Sequence, residues 1–325
     1  MDNKRFILSR EKIIGDKCKT GRSIERLDFA FAINKIYGPI LGILMTSIIE
    51  NNKDMNIGFN IFYDEISDDD KYRFQLFVDK YPLVSIGLYK IDETGMGDLY
   101  LRPGITSLST YYRLIMPEVL YPEVKRLIYL DADMLCVGDL KELKNVDFEG
   151  NIVMAVTDPV MNRDTEHKEK IEFPLERHYF NAGFMLIDSE KWHQEAITDK
   201  TIKLAAEKKL PMMDQDTLNL SLMDNRGEIS KNYNYVYSLA PRNVAGLKIV
   251  HFAGGSKPWT PWSEEYMEFP LYDQYRDISL WADFQYTPKN SKQMRLLAKS
   301  LWRNGHRLRS VGKYINYIKM KVMHR

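Results

Sequence analysis

Two aspartates separated by one residue follow a short apolar segment near the middle of the chain. The apolar segment is Arg126–Leu130, and Asp131-Ala132-Asp133 comes directly after it. Two carboxylates at a strand end can both face one divalent ion if the backbone bends there. Oxygen ligands suit Mg²⁺ or Mn²⁺ that also bridges to a substrate phosphate. The pattern predicts a metal site, with a loop start and helix cap as the alternative.

Three other segments place polar side chains beside apolar runs. Asn181 precedes a predicted strand, and Asp214 and Gln215 open a predicted helix. His251 ends an apolar segment that turns through two glycines and then presents Lys257. For Asp214 the alternative is helix capping, and for His251 it is packing in the core. The Gly-Gly-x-Lys sequence that follows His251 argues against simple packing in the core.

The apolar strand followed by Asp-x-Asp also resembles the haloacid-dehalogenase-like phosphatases, in which the first Asp is the nucleophile. Those phosphatases usually carry Thr or Val where Leu135 stands in this chain, and their motif lies close to the start of the domain. The phosphatase is therefore an alternative, and the other three segments decide against it.

The elements that position these residues alternate between strand and helix. Strands are predicted at 27–33, 56–63, 84–91 and 126–130, and helices at 39–50, 68–80 and 109–119. Residues 1–26 are expected to be an N-terminal extension. The alternation predicts an α/β fold, a Rossmann-like, mostly parallel sheet with flanking helices. Ligands bind beyond the carboxyl ends of such strands, which is where Asn34 and Asp131 fall.

The charge of the chain is unevenly distributed, although 46 basic residues nearly balance 45 acidic ones over 325 residues. From Phe284 onward there are eleven Lys and Arg residues and no Asp or Glu, and apolar residues recur there at roughly helical spacing. We expect a catalytic domain at 1–283 and a basic helical tail at 284–325. The tail either packs on the domain as a helical pair or docks on an anionic membrane.

The composition also indicates the compartment and excludes several classes of protein. Two distant cysteines give no disulfide framework, and the longest apolar stretch is too short to span a bilayer. No secretory signal is visible. We expect a cytoplasmic protein, peripheral on the cytoplasmic face of a bacterial inner membrane, with no nucleic-acid partner.

Taken in order, the four segments resemble glycosyltransferase family 8 over about residues 27–262. The resemblance implies a GT-A fold and an enzyme that transfers a hexose from UDP-glucose or UDP-galactose with retention of configuration. The tail, with Gln293-Met294-Arg295-Leu296 and Tyr314-Ile315-Asn316-Tyr317, is most similar to the lipopolysaccharide outer-core hexosyltransferases within the family. The implied acceptor is a sugar of the lipopolysaccharide core. The alternative outside enzymology is a non-catalytic glycan- or lipid-binding protein on the same fold.

The resemblance also implies roles for individual residues. Asp131, Asp133 and His251 match metal ligands for Mn²⁺ or Mg²⁺. The UDP-sugar is expected to contact Ala32, Asn34, Arg113, Asp131, Ala132, Asp133, Asn181, Asp214, Gln215, Gly254 and Lys257. The residues expected to serve catalysis are Asp158, Asp214, Gln215 and Lys257.

Two features of this set bear on recognition and mechanism. Asn34 stands where relatives commonly have Asp, and Ile36 stands where many have Asn, although Asn34 still offers a donor and an acceptor. The amide of Gln215 is a poor nucleophile, which favours attack on the same face as the departing diphosphate. A covalent intermediate on Asp214 stays open as the alternative.

Overall fold

The computed structural model describes residues 3–19, 26–237, 245–255, 257–263, 269–284, 287–288 and 290–323. Its strands are β1 (Ile7–Ile14), β2 (Leu27–Ile33), β3 (Ile57–Tyr63), β4 (Val84–Ile91), β5 (Arg126–Leu130), β6 (Met134–Cys136), β7 (Val153–Thr157), β8 (Phe180–Asp188), β9 (Arg226–Glu228), β10 (Tyr235–Val236) and β11 (Ile249–His251). Its α-helices are α1 (Gly38–Glu50), α2 (Asp68–Lys80), α3 (Met116–Leu120), α4 (Thr165–Lys170), α5 (Ser189–Gln194), α6 (Ile197–Glu207), α7 (Asp214–Ser221), α8 (Pro270–Ile278), α9 (Ser291–Arg303) and α10 (Arg307–Met323).

Local sequence signals explain where the first helices begin. Pro39 lies in the first turn of α1, where a proline sacrifices no helical hydrogen bond. The side chain of Ser67 caps α2 by accepting a hydrogen bond from the backbone N–H of Asp70. Three aspartates in the first turn of α2 place negative charge at the positive end of the helix dipole, which stabilises the helix. A 3₁₀ helix, Leu108–Leu114, precedes α3 where one continuous helix is expected from the sequence.

The central sheet has the order β1-β4-β3-β2-β5-β8-β7-β9. Strands β4, β3, β2 and β5 are parallel, whereas β8 runs antiparallel to β5 and β7. The expected α/β sheet with flanking helices is therefore confirmed, and its parallel half is built from the four strands predicted from the sequence. The segment expected as an N-terminal extension contributes β1, which pairs antiparallel with β4 at the sheet edge.

A second, three-stranded sheet with the order β10-β11-β6 brings the histidine segment beside the two aspartates. In this sheet β11 pairs antiparallel with β6, so that His251 lies opposite Met134. The backbone N–H of Phe252 also donates to the carbonyl of Asp133, at 3.0 Å. This register places residues more than a hundred positions apart side by side.

The apolar core lies on both faces of the central sheet. Along β2, Phe29 and Phe31 pack against the layer containing α1 and α2, whereas Ala30 faces the opposite layer. Trp281, which follows α8, is buried against α1 and donates to Asp70 of α2 at 2.8 Å. A Cβ on Gly42 would lie 2.2 Å from the Trp281 ring, so only glycine fits there. Trp281 therefore packs the segment that follows α8 against the first two helices.

The basic tail forms the helical pair α9 and α10, as the spacing of its apolar residues predicts. Met294 and Leu297 of α9 pack against Trp262 of the body. Helix α10 instead exposes several large apolar side chains. Lys289 and Arg325 of the tail lie outside the described residues. In the part of the chain that the structure describes, no helix is both long enough and apolar enough to cross a membrane.

Candidate active site

Asp131, Asp133 and His251 form a cluster at the carboxyl ends of β5 and β11. One ligand atom from each residue lies within 4.8 Å of the other two. The Nε2 atom of His251 is 3.3 Å from Oδ1 of Asp133 and 3.9 Å from Oδ2 of Asp131. Two carboxylate oxygens and an imidazole nitrogen are a donor set that a divalent ion can use. The three side chains therefore fit the metal that the sequence predicts.

The second oxygen of Asp131 is held by the protein. Oδ1 of Asp131 accepts hydrogen bonds from Arg113 and from the Tyr129 hydroxyl, both at 2.7 Å. Burial would lower the pKa of Arg113, but the carboxylates of Asp131 and Asp214 raise it above its ordinary value. Burial also raises the pKa of Tyr129 well above its ordinary value, so its hydroxyl keeps its proton. Oδ2 of Asp131 is the oxygen directed at His251.

The second oxygen of Asp133 is held in the same way by a different cation. Lys257 donates a hydrogen bond to Oδ2 of Asp133 and another to the carbonyl of Phe252, the latter at 2.5 Å. Burial alone would raise the pKa of Asp133, but His251 and Lys257 lower it well below its usual range. Each metal-facing carboxylate thus offers one oxygen to a protein cation and the other to the cluster.

Asp214 lies at the start of α7, on the other side of Arg113. The Nε atom of Arg113 is 3.0 Å from Oδ2 of Asp214, and the hydroxyl of Thr110 donates to Oδ1 at 2.6 Å. Burial raises the pKa of Asp214, and Arg113 opposes that rise. The residue before the helix, Met213, has a φ of 50°, which L side chains seldom adopt. Arg113 therefore bridges the cluster and the first residue of α7.

Gln215, in α7, contacts the start of β8, where Asn181 lies. The backbone N–H of Ala182 donates to Oε1 of Gln215 at 3.0 Å, and the Gln215 side chain also interacts with the Tyr179 hydroxyl. Asn181 donates to Oδ2 of Asp158 at 2.9 Å. Oδ1 of Asp158 accepts from the backbone N–H groups of Val160 and Met161, both at 2.9 Å. Asp158 therefore joins the site through Asn181.

Asp216 belongs to the core behind the site. Its Oδ1 contacts Nε2 of His167 at 2.7 Å and accepts from the Tyr179 hydroxyl at 2.6 Å, and its Oδ2 accepts from the Met212 N–H at 2.8 Å. These contacts explain the second acid of the Asp-Gln-Asp segment, Asp216, as a structural residue.

A cavity of about 330 Å³ opens at the end of β2, between the cluster and the loop before the 3₁₀ helix. Its wall includes Ala32, Asn34, Asp131, Ala132 and Asp133. Oδ1 of Asn34 accepts a hydrogen bond from the Ile36 N–H at 3.1 Å. The amide NH₂ group of Asn34 takes no part in that bond. The cavity therefore combines three of the predicted UDP-sugar contacts, Ala32, Asn34 and Ala132, with the two metal-facing carboxylates.

Two glycines are required by the geometry around the cluster. A Cβ on Gly183 would lie 2.6 Å from His251 and 2.9 Å from the Asp131 carboxylate. Gly254 has a φ of +80°, a left-handed conformation that favours glycine. Gly254 turns the chain between His251 and Lys257, so that both side chains reach Asp133.

Three residues of the site are not evident from the sequence. Thr110 holds Asp214, Tyr129 holds Asp131, and Asn234 contacts Nδ1 of His251 at 2.9 Å. Tyr129 immediately precedes the Leu130-Asp131 step and points into the site because alternate strand residues share a face. Thr110 and Asn234 carry no motif, and only the fold brings them to the site.

The overall fold matches that of a solved glycosyltransferase. The chain superposes on the galactosyltransferase LgtC, solved in complex with donor and acceptor sugar analogues, with a TM-score of 0.67 and 21% identity over 81% of this chain and 98% of that one. At this identity the likeness shows the fold, and it confirms the expected GT-A architecture.

The family follows from the sequence match. The chain belongs to glycosyl transferase family 8, whose model matches residues 28–263. It is 28% identical to a lipopolysaccharide 1,3-galactosyltransferase of Salmonella typhimurium over 92% of each chain. It is 26% identical to the lipopolysaccharide glucosyltransferase WaaO of Escherichia coli, also over 92% of each chain. Membership confirms the enzyme class and sets aside the phosphatase.

Proposed function

We propose that the protein transfers glucose or galactose from a UDP-sugar, with retention of configuration, to a sugar of the lipopolysaccharide core. The observation that carries the proposal is the cluster of Asp131, Asp133 and His251 beside a cavity lined by Asn34, with Lys257 bonded to one of the carboxylates. Two relatives aligned over 92% of the chain carry lipopolysaccharide galactosyl- and glucosyltransferase names, which supports the donor and acceptor classes.

Several residues together would stabilise the leaving group, which is the diphosphate of UDP. A Mn²⁺ or Mg²⁺ ion held by Asp131, Asp133 and His251 would supply positive charge for the diphosphate. Lys257 adds a cation on the same side, at the end of the turn that Gly254 permits. One well-aimed electrostatic contact supplies roughly 3 kcal/mol, or about a hundredfold in rate. Arg113 keeps its charge and orients Asp131 and Asp214 for the bound donor.

The positions of Gln215 and Asp214 favour departure and attack on one face of the sugar. Gln215 has its oxygen fixed by the Ala182 N–H, which positions the amide side chain to orient a hexose. Both oxygens of Asp214 are engaged, one by Thr110 and one by Arg113. Because both contacts stabilise the carboxylate charge and so lower its nucleophilicity, they favour Asp214 as an orienting residue over a nucleophile. Asn181 and Asp158 complete the hexose side of the site.

The test is a panel of UDP-sugars and truncated lipopolysaccharide acceptors with Mn²⁺, with NMR of the product. We expect UDP release and an α-linked hexose with one of the two donors. Asp133→Asn should abolish transfer, whereas Asp139→Asn, on an exposed carboxylate, serves as the matched control. Release of orthophosphate instead of UDP, or a β-linked product, would contradict the proposal.

We also propose that residues 1–283 form the catalytic unit and that residues 284–325 attach it to the cytoplasmic face of a membrane. Support comes from charge and exposure: the tail holds eleven basic residues without an acid, and the apolar side chains of α10 face solvent. An amphipathic basic helix of this kind binds at the surface of an anionic bilayer. The packing of α9 on Trp262 links the tail to the body.

A further inference from the structure

A continuous chain of side-chain hydrogen bonds joins the metal-facing histidine to the hexose side of the site. Nδ1 of His251 lies 2.9 Å from Oδ1 of Asn234, and Nδ2 of Asn234 donates to Oδ1 of Asn181 at 2.8 Å. Nδ2 of Asn181 then donates to Asp158 at 2.9 Å. All four side chains are buried. Buried polar groups of this kind are costly to leave unpaired, so the chain is held as a unit.

The sense in which the hydrogen bonds run is fixed at the Asn181 end. The backbone N–H of Gly183 contacts Asn181 at 3.0 Å and can only donate, so the atom that it meets is Oδ1. The carboxylate of Asp158 accepts from the remaining atom, Nδ2. Asn234 must then donate to Asn181 through its own NH₂ group. Its carbonyl oxygen is consequently the atom that faces His251.

This direction determines which nitrogen of His251 carries the proton. A carbonyl oxygen can only accept, so Nδ1 of His251 is protonated and donates to Asn234. Nε2 is then the ring nitrogen that faces Asp131 and Asp133, where its lone pair would bind a metal ion held by the two carboxylates. A hydrogen bond to the far nitrogen is the usual means of orienting a metal-binding histidine.

We propose that Asn234 is a positioning residue that couples the metal side of the site to the hexose side. It sets the tautomer and the orientation of His251 through its oxygen, and it fixes the amide of Asn181 through its nitrogen. The assignment rests on the proposed function, because that function supplies the ligands at the two ends of the hydrogen-bond chain. These ligands are a metal ion at His251 and a hexose at Asn181 and Asp158. Neither the family match nor the sequence motifs point to this residue.

Two substitutions separate the two roles of Asn234. Asn234→Ala removes the acceptor for Nδ1 and the donor for Asn181. Asn234→Asp keeps an acceptor for Nδ1–H but places a carboxylate oxygen against Oδ1 of Asn181, where no proton can lie between them. The alanine variant should therefore weaken metal binding, and the aspartate variant should retain it while losing hexose transfer.

The first measurement is Mn²⁺ affinity, from the EPR signal of free Mn²⁺, with and without UDP. We expect Asn234→Ala to bind Mn²⁺ about 10- to 100-fold more weakly, the range for losing an outer partner of a metal ligand. Asn234→Asp should bind Mn²⁺ as tightly as the unaltered protein or more tightly, with an unchanged KM for the UDP-sugar and a lower kcat. Asn52→Ala is the matched control, because Asn52 is equally buried and bonds to Ile48 and Leu140 instead.

The second measurement reads the tautomer without any metal or substrate. Long-range ¹H–¹⁵N spectra of the histidine rings, with His251 assigned through His251→Gln, should show a protonated Nδ1. The same signal should shift toward the other tautomer in Asn234→Ala and keep its position in Asn234→Asp. This readout tests Asn234 even if the protein binds no Mn²⁺, an outcome that would contradict the proposed function alone.

Three results would overturn the inference. The first is Mn²⁺ affinity in Asn234→Ala within a factor of about two of the unaltered protein. The second is an equal loss of Mn²⁺ affinity in Asn234→Asp and Asn234→Ala, because an acceptor at position 234 would then not matter. The third is a His251 ring whose Nδ1 carries no proton in the unaltered protein.

Discussion

Helix α10 carries a stripe of apolar side chains whose removal should release the protein from an anionic membrane. Residues 3, 4, 3 and 4 positions apart form the stripe, and their exposed fractions are 91%, 51%, 49%, 50% and 67% for Leu308, Val311, Ile315, Ile318 and Val322. The double variant Ile315→Ser/Ile318→Ser alters two of them. Both side chains are about half exposed, so about half of each is available to insert into a membrane.

The expected effect follows from the exposed area of these two side chains. Full burial of an Ile side chain stabilises by about 1.5–3 kcal/mol, so inserting the exposed half of each contributes about 1 kcal/mol. Two residues give about 2 kcal/mol, or about a 30-fold weaker partition onto vesicles. The comparison variant Lys319→Gln/Lys321→Gln removes about 1 kcal/mol per charge near an anionic surface, a similar loss at low salt.

Salt separates the two variants in a sedimentation assay with vesicles containing phosphatidylserine. The Debye length is about 30 Å at 0.01 M salt and about 3 Å at 1 M, so the effect of the lysine variant should disappear at high salt. The loss caused by the serine variant should persist, because apolar insertion is not screened. Circular dichroism of both variants is the control for folding.

Two outcomes would refute the reasoning about the stripe. One is vesicle binding of the Ile315→Ser/Ile318→Ser variant equal to that of the unaltered protein. The other is a dimer in sedimentation equilibrium without vesicles that the same variant converts to a monomer. In that case the apolar stripe, whose spacing also suits a helical seam, is covered by a second copy of the chain.

Three further predictions concern the active site. Asp131→Asn and Asp133→Asn should each abolish Mn²⁺-dependent UDP binding, measured by calorimetry; the second should also lower thermal stability without metal, because Lys257 loses its carboxylate partner. Lys257→Ala should weaken UDP and UDP-sugar alike, whereas Gln215→Ala should spare UDP affinity and lower kcat; equal losses of UDP affinity would contradict this division. Gly183→Ala should lower Mn²⁺ affinity about tenfold or more by EPR, because its Cβ would overlap three site side chains, those of His251, Asn181 and Asp131.

The sequence predicts the parallel half of the sheet well because those strands are continuous apolar runs. Leu27–Ile33, Val84–Ile91 and Arg126–Leu130 have the predicted bounds, and Asp68–Lys80 has a capping serine before it. Strand β1 was not predicted because its side chains are mostly exposed and charged, so that alternation is weak. An edge strand of this kind forms because β4 offers it a partner, which local sequence cannot indicate.

Chemistry-bearing residues are easier to predict than the residues that hold them. The Asp-x-Asp pair and the histidine before a glycine turn have motifs, and the pairing of β6 with β11 brings them together. Thr110 and Asn234 have ordinary types in ordinary segments, and their contacts depend on sequence separations of 104 and 17 residues. Contacts of this kind are set by the tertiary fold, and a single sequence holds no local signal for them.

The charge balance of the site indicates how the binding of one ligand changes the affinity for the other. Asp131, Asp133 and Asp214 carry three negative charges, and Arg113 and Lys257 carry two positive ones. Without ligands the site therefore favours a cation, and a divalent ion makes it a site for an anion such as a diphosphate. Lys257 bonds to Oδ2 of Asp133, so a diphosphate that attracts Lys257 would also free this oxygen for the ion. Ion and nucleotide should consequently bind with positive cooperativity, each raising the affinity for the other by the same factor.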